Sequence, residues 1–108
     1  MTSILERSFN FNGFNCYVIM RHMGDNCYRC GYVQVSKRLP INTASINCHG
    51  GITYANKEAP SPLEIDDKNK WYIGFDCARA FDTTDFWTVS RVSNELRQIV
   101  GQILSGER

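Results

Sequence analysis

Most apolar residues of this chain fall in short runs of β-branched and aromatic side chains, a pattern that predicts β-strands. Residues 8–11 and 14–20 flank Asn12-Gly13, a dipeptide that tolerates positive φ at both central positions of a tight turn. This pair of runs predicts a β-hairpin. Further strands are predicted at residues 30–36, 44–48, 52–54 and 70–76.

The hydrophobic period changes near the carboxyl end. From Val89 onward, apolar residues recur at steps of three and four, which predicts one amphipathic helix over residues 88–104. Asp85, Thr88 and Ser90 are candidates for its N-cap. The apolar stripe of such a helix needs a sheet to cover. We therefore expect one α+β domain over residues 1–108, with an antiparallel sheet, a C-terminal helix and a long loop at residues 55–70.

Charge and composition narrow the functional classes. Twelve Lys and Arg balance eleven Asp and Glu, so the formal charge is only +1. This balance argues against a polybasic nucleic-acid binder and against a mimic of nucleic acid. No apolar run approaches the roughly 20 residues of a membrane span, and no secretory or transit signal is readable. We therefore expect a cytoplasmic protein that contacts neither membrane nor nucleic acid directly.

The sequence contains five cysteines, and disulfides are disfavoured in the cytoplasm. The cysteines are therefore expected to be thiols that are buried, bound to metal or catalytic. Cys27 and Cys30 have the two-residue gap with which two thiolates on a turn reach one zinc ion. If successive strands run antiparallel, the ends of several strands meet at one edge of the sheet. A structural zinc that staples the fold is therefore predicted there, with the preferred ligands Cys27, Cys30, His49 and Cys77, and with Asp76 as the closest substitute.

Other interpretations of these residues stay open. Free cysteine is often a core residue, and Cys16 is predicted to be one because it alternates with Val18 and Met20. Spacing alone leaves open Cys48 or His49, and Asp76 or Cys77, as the donors. A thioredoxin-like redox site is disfavoured because Cys30 opens a strand. A third possibility is a protein without metal whose thiols are all buried.

An aromatic cluster precedes the helix. Phe81, Phe86 and Trp87 are predicted to belong to the core, and any of them left exposed would form a contact patch. The loop at residues 55–70 is typical of a solvated connection, although loops of this length also carry binding surfaces.

Three strings resemble the motifs of a family of small phage and prophage proteins, which read CGYV, HGG[IL]TY and W-x-GFDCAH. The strings are CGYV at 30–33, HGGITY at 49–54 and WYIGFDCAR at 71–79. The chain is also similar to zinc-containing type II-A anti-CRISPR proteins. That resemblance implies a phage-encoded inhibitor in the host bacterial cytoplasm that binds Cas9 with its guide RNA and blocks target DNA engagement or cleavage.

One departure from the motif bears on enzymatic activity. Arg79 stands where the family pattern has histidine, and a guanidinium is a poor substitute for an imidazole ligand. This favours a binding protein over an enzyme. The alternative is a metal-dependent hydrolase of a nucleotide or phosphodiester, with His49 and Asp76 on the ion and Asp82 as a supporting residue or base.

Overall fold

The computed structural model describes residues 2–38 and 41–106. A five-stranded antiparallel sheet, in the order β1-β2-β3-β5-β4, packs against one C-terminal helix, which confirms the predicted α+β fold. The elements are β1 (Thr2–Phe11), β2 (Phe14–Met23), β3 (Asn26–Ser36), a short 3₁₀ helix (Thr43–Ser45), β4 (Tyr54–Asn56), β5 (Lys70–Asp76) and α1 (Val89–Gly106).

The first third of the chain forms a three-stranded meander. Asn12 and Gly13 occupy the first turn with φ of 50° and 90°, as the dipeptide predicts. Strands β1 and β2 are longer than expected, and β2 continues to a second tight turn at Gly24. Because β3 begins at Asn26, Cys27 and Cys30 both lie within a strand, and the turn expected between them is not formed.

Two predicted elements differ from the structure. The predicted strand at residues 44–48 was wrong, because the chain forms a 3₁₀ helix at Thr43–Ser45 and is irregular over residues 46–48. The Asn42 side chain caps this helix by accepting a hydrogen bond from the Ala44 amide at 3.1 Å. A local side-chain cap thus outcompetes strand pairing. The short strand predicted at residues 52–54 lies two residues later, as β4. The helix begins after Thr88, whose hydroxyl accepts a hydrogen bond from the Arg91 amide at 3.2 Å.

Apolar side chains cover both faces of the sheet. On one face, the main core joins the sheet to the stripe of α1, and Cys16 is fully buried there as predicted. On the opposite face, a smaller cluster around Ile19 and Tyr72 is covered by Leu63 and Ile65. The connection between β4 and β5 is therefore a covering layer of the fold as well as a surface loop.

The helix has a buried stripe of Val92, Leu96, Ile99, Val100 and Ile103 and a polar opposite side. Over residues 2–38 and 41–106, no helix combines the length and the apolar character that crossing a bilayer requires.

Candidate functional site

Two tight turns beside the amino end of α1 have the same design. In the turn 48–51, the Gly51 amide donates to the Cys48 carbonyl at 2.9 Å, and Gly50 in third position has a φ of 72°. In the turn 79–82, the Asp82 amide donates to the Arg79 carbonyl at 3.0 Å. Its third position also has a φ of 72°, but the residue there is Phe81.

Side chains connect the two turns directly. His49 Nε2 lies 2.8 Å from Asp82 Oδ2, and Arg79 Nη2 donates to the Gly50 carbonyl at 2.6 Å. A Cβ atom on Gly50 would collide with the Arg79 side chain. Glycine at this position therefore serves both the positive φ and the close approach of the guanidinium.

The Asp82 carboxylate is the centre of this arrangement. Its side chain is only 8% exposed, and Oδ2 accepts hydrogen bonds from the His49 ring and from the Arg79 amide, the latter at 3.0 Å. Burial alone would raise the pKa of Asp82, but hydrogen bonds from His49 and Arg79, with smaller contributions from the His49 charge and the Trp87 side chain, lower it. Asp82 is thus an ionised acceptor that orients the imidazole.

The His49 ring is also packed and tied to the helix. Its centroid lies 4.2 Å from that of Trp87 at an interplanar angle of 31°, and the His49 amide donates to Glu95 Oε1 at 2.8 Å. The imidazole is therefore held between an aromatic face and a carboxylate, which fixes its orientation.

Arg29 fastens the segment before the helix to the sheet. Its Nη1 donates to the carbonyls of Thr84 and Trp87, at 3.0 and 2.9 Å, while Nε donates to Glu6 at 2.7 Å. The Arg29 side chain is only 14% exposed. The segment is therefore positioned by a charged side chain from the middle of the sheet.

Residues 79–88, the stretch that leads into the helix, expose two aromatic rings. Phe81 is 100% exposed and Phe86 is 52% exposed, so the prediction that both belong to the core was wrong. The hydrophobicity of these residues suggested burial, but the turn and the Arg29 anchor direct them outward. Trp87 does pack against the main core, as predicted. The Arg91 guanidinium lies over the Phe86 ring, 4.2 Å from its centroid.

The residues predicted to bind zinc lie in separate places. Cys30 and Asp76 are register partners that line a pocket of about 290 Å³ on the sheet face opposite α1. Cys77 is buried in the main core on the helix side, and His49 is engaged by Asp82. Cys27 lies near the β2–β3 turn beside His22.

These positions do not fit one shared zinc ion. Three-residue spacing along an extended strand places Cys27 and Cys30 on opposite sheet faces. Among residues 2–38 and 41–106, no group of three or more His, Cys, Asp or Glu side chains could hold an ion. The zinc site stays a prediction that this arrangement does not support. The hydrolase alternative also lacks support, because Asp76 bonds to Thr53 and the Ala78 amide rather than approaching His49.

Burial changes the acidity of three of the cysteine thiols. Burial, with a smaller contribution from the Glu95 charge, raises the pKa of Cys48 to about 11. Burial also raises the pKa of Cys30 and of Cys77. Since the thiolate is the nucleophilic form of cysteine, these three thiols are weak nucleophiles in this environment.

Sequence reasoning singled out His49 and Asp82 but missed Arg29 and Glu95. Both missed residues act through contacts between segments far apart in the chain: Arg29 bonds to Thr84 and Trp87, and Glu95 bonds to the His49 amide. Arg29 gave no signal of these contacts because the predicted strand began at residue 30, whereas β3 begins at Asn26 and places this charged side chain within the sheet, where it needs partners.

Replacement of Asp82 by asparagine tests the role of this carboxylate in stability. A depressed pKa stabilises the fold above the ordinary value of 3.8, and that stabilisation disappears as pH falls through the folded-state pKa. We expect Asp82→Asn to cost about 1 to 2 kcal/mol near neutral pH, and expect the difference from wild type to shrink below about pH 4.

Urea unfolding as a function of pH measures this difference. Asp85→Asn is the matched control, since Asp85 is an exposed carboxylate of the same segment. Equal pH profiles for wild type and Asp82→Asn would show that the carboxylate does not contribute the expected stability.

In comparisons with known proteins, no family model, no curated protein and no solved structure matches the chain.

Proposed function

We propose that this chain acts by stoichiometric binding to another protein, and that the turn 79–82 presents Phe81 as the principal anchor. The observation that carries this proposal is the conformation of Phe81. A large aromatic residue occupies a left-handed backbone position that favours glycine, and its ring is completely exposed.

The energetics of the free protein give no reason for phenylalanine at this position. A left-handed conformation costs a residue with a side chain roughly 1 kcal/mol or more, and an exposed ring contributes no burial in return. Burying a phenylalanine side chain contributes about 1.5 to 3 kcal/mol. A partner with an apolar pocket would supply that burial.

The surroundings of Phe81 match those of binding hot spots. Aromatic side chains and arginine are enriched among residues that dominate binding energy, and Phe86 with Arg91 lies on the same stretch of chain. The hydrogen bonds of Asp82 and Arg29 hold this stretch in place before any partner arrives. Preorganisation of this kind lowers the entropic cost of association.

The proposed partner is Cas9 carrying its guide RNA, in the cytoplasm of the host bacterium. This choice rests on the resemblance to phage proteins and to type II-A anti-CRISPR proteins. The net charge of +1 is compatible with it, because anchoring by aromatic groups needs no imitation of phosphate. Binding would prevent target DNA engagement or cleavage.

A cleavage assay with a Phe81→Gly variant tests the proposal. Glycine accepts the left-handed conformation, so the free energy of unfolding of the variant should lie within about 1 kcal/mol of the wild-type value. We expect excess wild-type protein to block cleavage by guide-loaded Cas9, and expect Phe81→Gly to weaken binding by about thirtyfold, as loss of a hot spot of about 2 kcal/mol would.

Ile4→Ser provides the control, because Ile4 is also an exposed apolar residue but lies on β1. This variant should inhibit as well as wild type. Normal cleavage in the presence of a large excess of wild-type protein would reject Cas9 as the partner. Equal inhibition by wild type and Phe81→Gly would reject the proposed surface.

A further inference from the structure

A thiol and an imidazole face each other across the β2–β3 hairpin. His22 and Cys27 are register partners on neighbouring strands, and Cys27 Sγ lies 3.0 Å from His22 Nδ1. Directly paired residues of an antiparallel sheet project from the same face with their side chains adjacent. The sheet therefore holds the two groups together without depending on a flexible loop.

Cys27 differs from the other cysteines in accessibility. It is exposed, whereas Cys16, Cys30 and Cys77 are buried and Cys48 is half-buried. The hairpin turn close to Cys27 is open, since a Cβ atom added at Gly24 would meet nothing within 4 Å. A small reagent can therefore approach the Cys27 sulfur.

We propose that Cys27 is a thiol-disulfide exchange site that reacts with small disulfides such as oxidised glutathione, with His22 as its proton acceptor. With the imidazole proton on Nε2, His22 Nδ1 is an acceptor within hydrogen-bond distance of the Cys27 sulfur and takes up the thiol proton as the sulfur attacks the disulfide. A thiolate is the reactive form of cysteine, and an adjacent base raises its reactivity.

The reaction balances without any further oxidant. The Cys27 sulfur attacks one sulfur of glutathione disulfide, a new S–S bond forms, and the original S–S bond breaks. The departing glutathione thiolate takes the proton held by His22. The products are one mixed disulfide on Cys27 and one molecule of reduced glutathione.

This site is separate from the proposed binding surface. It lies at the hairpin end of β2 and β3, and it involves neither Phe81 nor the Asp82 network. It also does not form a redox pair with Cys30, because that thiol lies on the opposite sheet face. Cys27 is therefore expected to be modified by an external disulfide, not by another thiol of the chain.

Intact-mass spectrometry after exposure of the native 108-residue chain to oxidised glutathione tests the proposal. We expect one glutathionyl group per chain, located on Cys27 by peptide mapping, and none on Cys27→Ser. The rate should fall about tenfold in His22→Gln, which keeps a polar side chain but lacks a comparable base. Cys48→Ser, the control, should react like wild type.

A second comparison keeps the test valid if His22→Gln is poorly folded. Native Cys27 should react faster than the same thiol in the urea-unfolded chain, where no imidazole is held beside it. Modification of a different cysteine, or a native rate no higher than the rate in urea, would overturn the proposal. Inhibition of Cas9 is not part of this measurement, so the two proposals succeed or fail separately.

Discussion

Replacement of Gly31 by valine is expected to lower the free energy of unfolding by about 3 kcal/mol, because buried side chains of α1 and β5 leave no room for a side chain at Gly31. A Cβ atom at Gly31 would lie 2.9 Å from both Leu96 Cδ2 and Phe75 Cε1, and 3.0 Å from Val92 Cγ1. These neighbours are fully or almost fully buried, so they have little room to move. The added side chain must therefore displace the helix, the Phe75 ring or both.

A double-mutant cycle measures this steric origin. Leu96→Ala alone should cost about 2 to 5 kcal/mol by leaving a cavity, but the same cavity would accept part of the new side chain. The two substitutions should therefore cost less together than the sum of their separate effects, by about 1 kcal/mol or more. Urea unfolding of the four proteins gives the interaction energy.

Gly101→Ala is the matched control, because Gly101 is a glycine whose replacement creates no close contact. Gly101 is exposed on α1, and a Cβ atom added there would have no neighbouring atom within 4 Å, so alanine should stabilise the helix by about 1 kcal/mol. A mild effect of Gly31→Val, or strict additivity with Leu96→Ala, would contradict the close-packing explanation.

The regular parts of the fold follow from local sequence patterns. The hairpin at Asn12-Gly13 and the helix after Thr88 were predicted because turn chemistry and a sustained hydrophobic period act over a few residues. The strand predicted at residues 44–48 was wrong because a short apolar run does not distinguish a strand from a capped turn. Here the Asn42 side chain caps a 3₁₀ helix instead.

The candidate site was predictable only in part. The sequence singled out His49 and Asp82, and the structure brings them into contact. The cysteines were also grouped in the sequence analysis because they were expected at strand ends. In the structure β3 begins at Asn26, so Cys27 and Cys30 lie in the same strand and their odd spacing places them on opposite faces of the sheet. Phe81 faces outward from a left-handed position of the turn 79–82, and the residue type gave no sign of that position because glycine is the residue that favours it.

Arg29 is the residue whose loss should most affect both the fold and the proposed binding surface. We expect Arg29→Met to lower the free energy of unfolding by about 2 to 4 kcal/mol, because it leaves the carbonyls of Thr84 and Trp87 without their shared donor. Methionine keeps much of the apolar volume of the arginine stem, so the loss reports mainly on the polar contacts.

Two further variants separate the contributions of Arg29. Glu6→Gln weakens only the ion pair, which is partly exposed, and should cost at most about 1 kcal/mol. Arg38→Met removes an exposed arginine that lies just after β3, the strand that carries Arg29. This substitution should hardly change the free energy of unfolding. If Glu6→Gln were as damaging as Arg29→Met, the ion pair and not the carbonyl anchoring would hold the segment.

Hydrogen exchange of the folded Arg29→Met protein connects this anchor to function. Release of the two carbonyls should speed exchange of the amides over residues 79–88 while the central strands stay protected. Because Phe81 would then lose its fixed position, affinity for the proposed partner should fall about tenfold even where the variant is fully folded. Unchanged exchange over 79–88 together with unchanged affinity would show that the sheet anchor does not position the exposed aromatic residues.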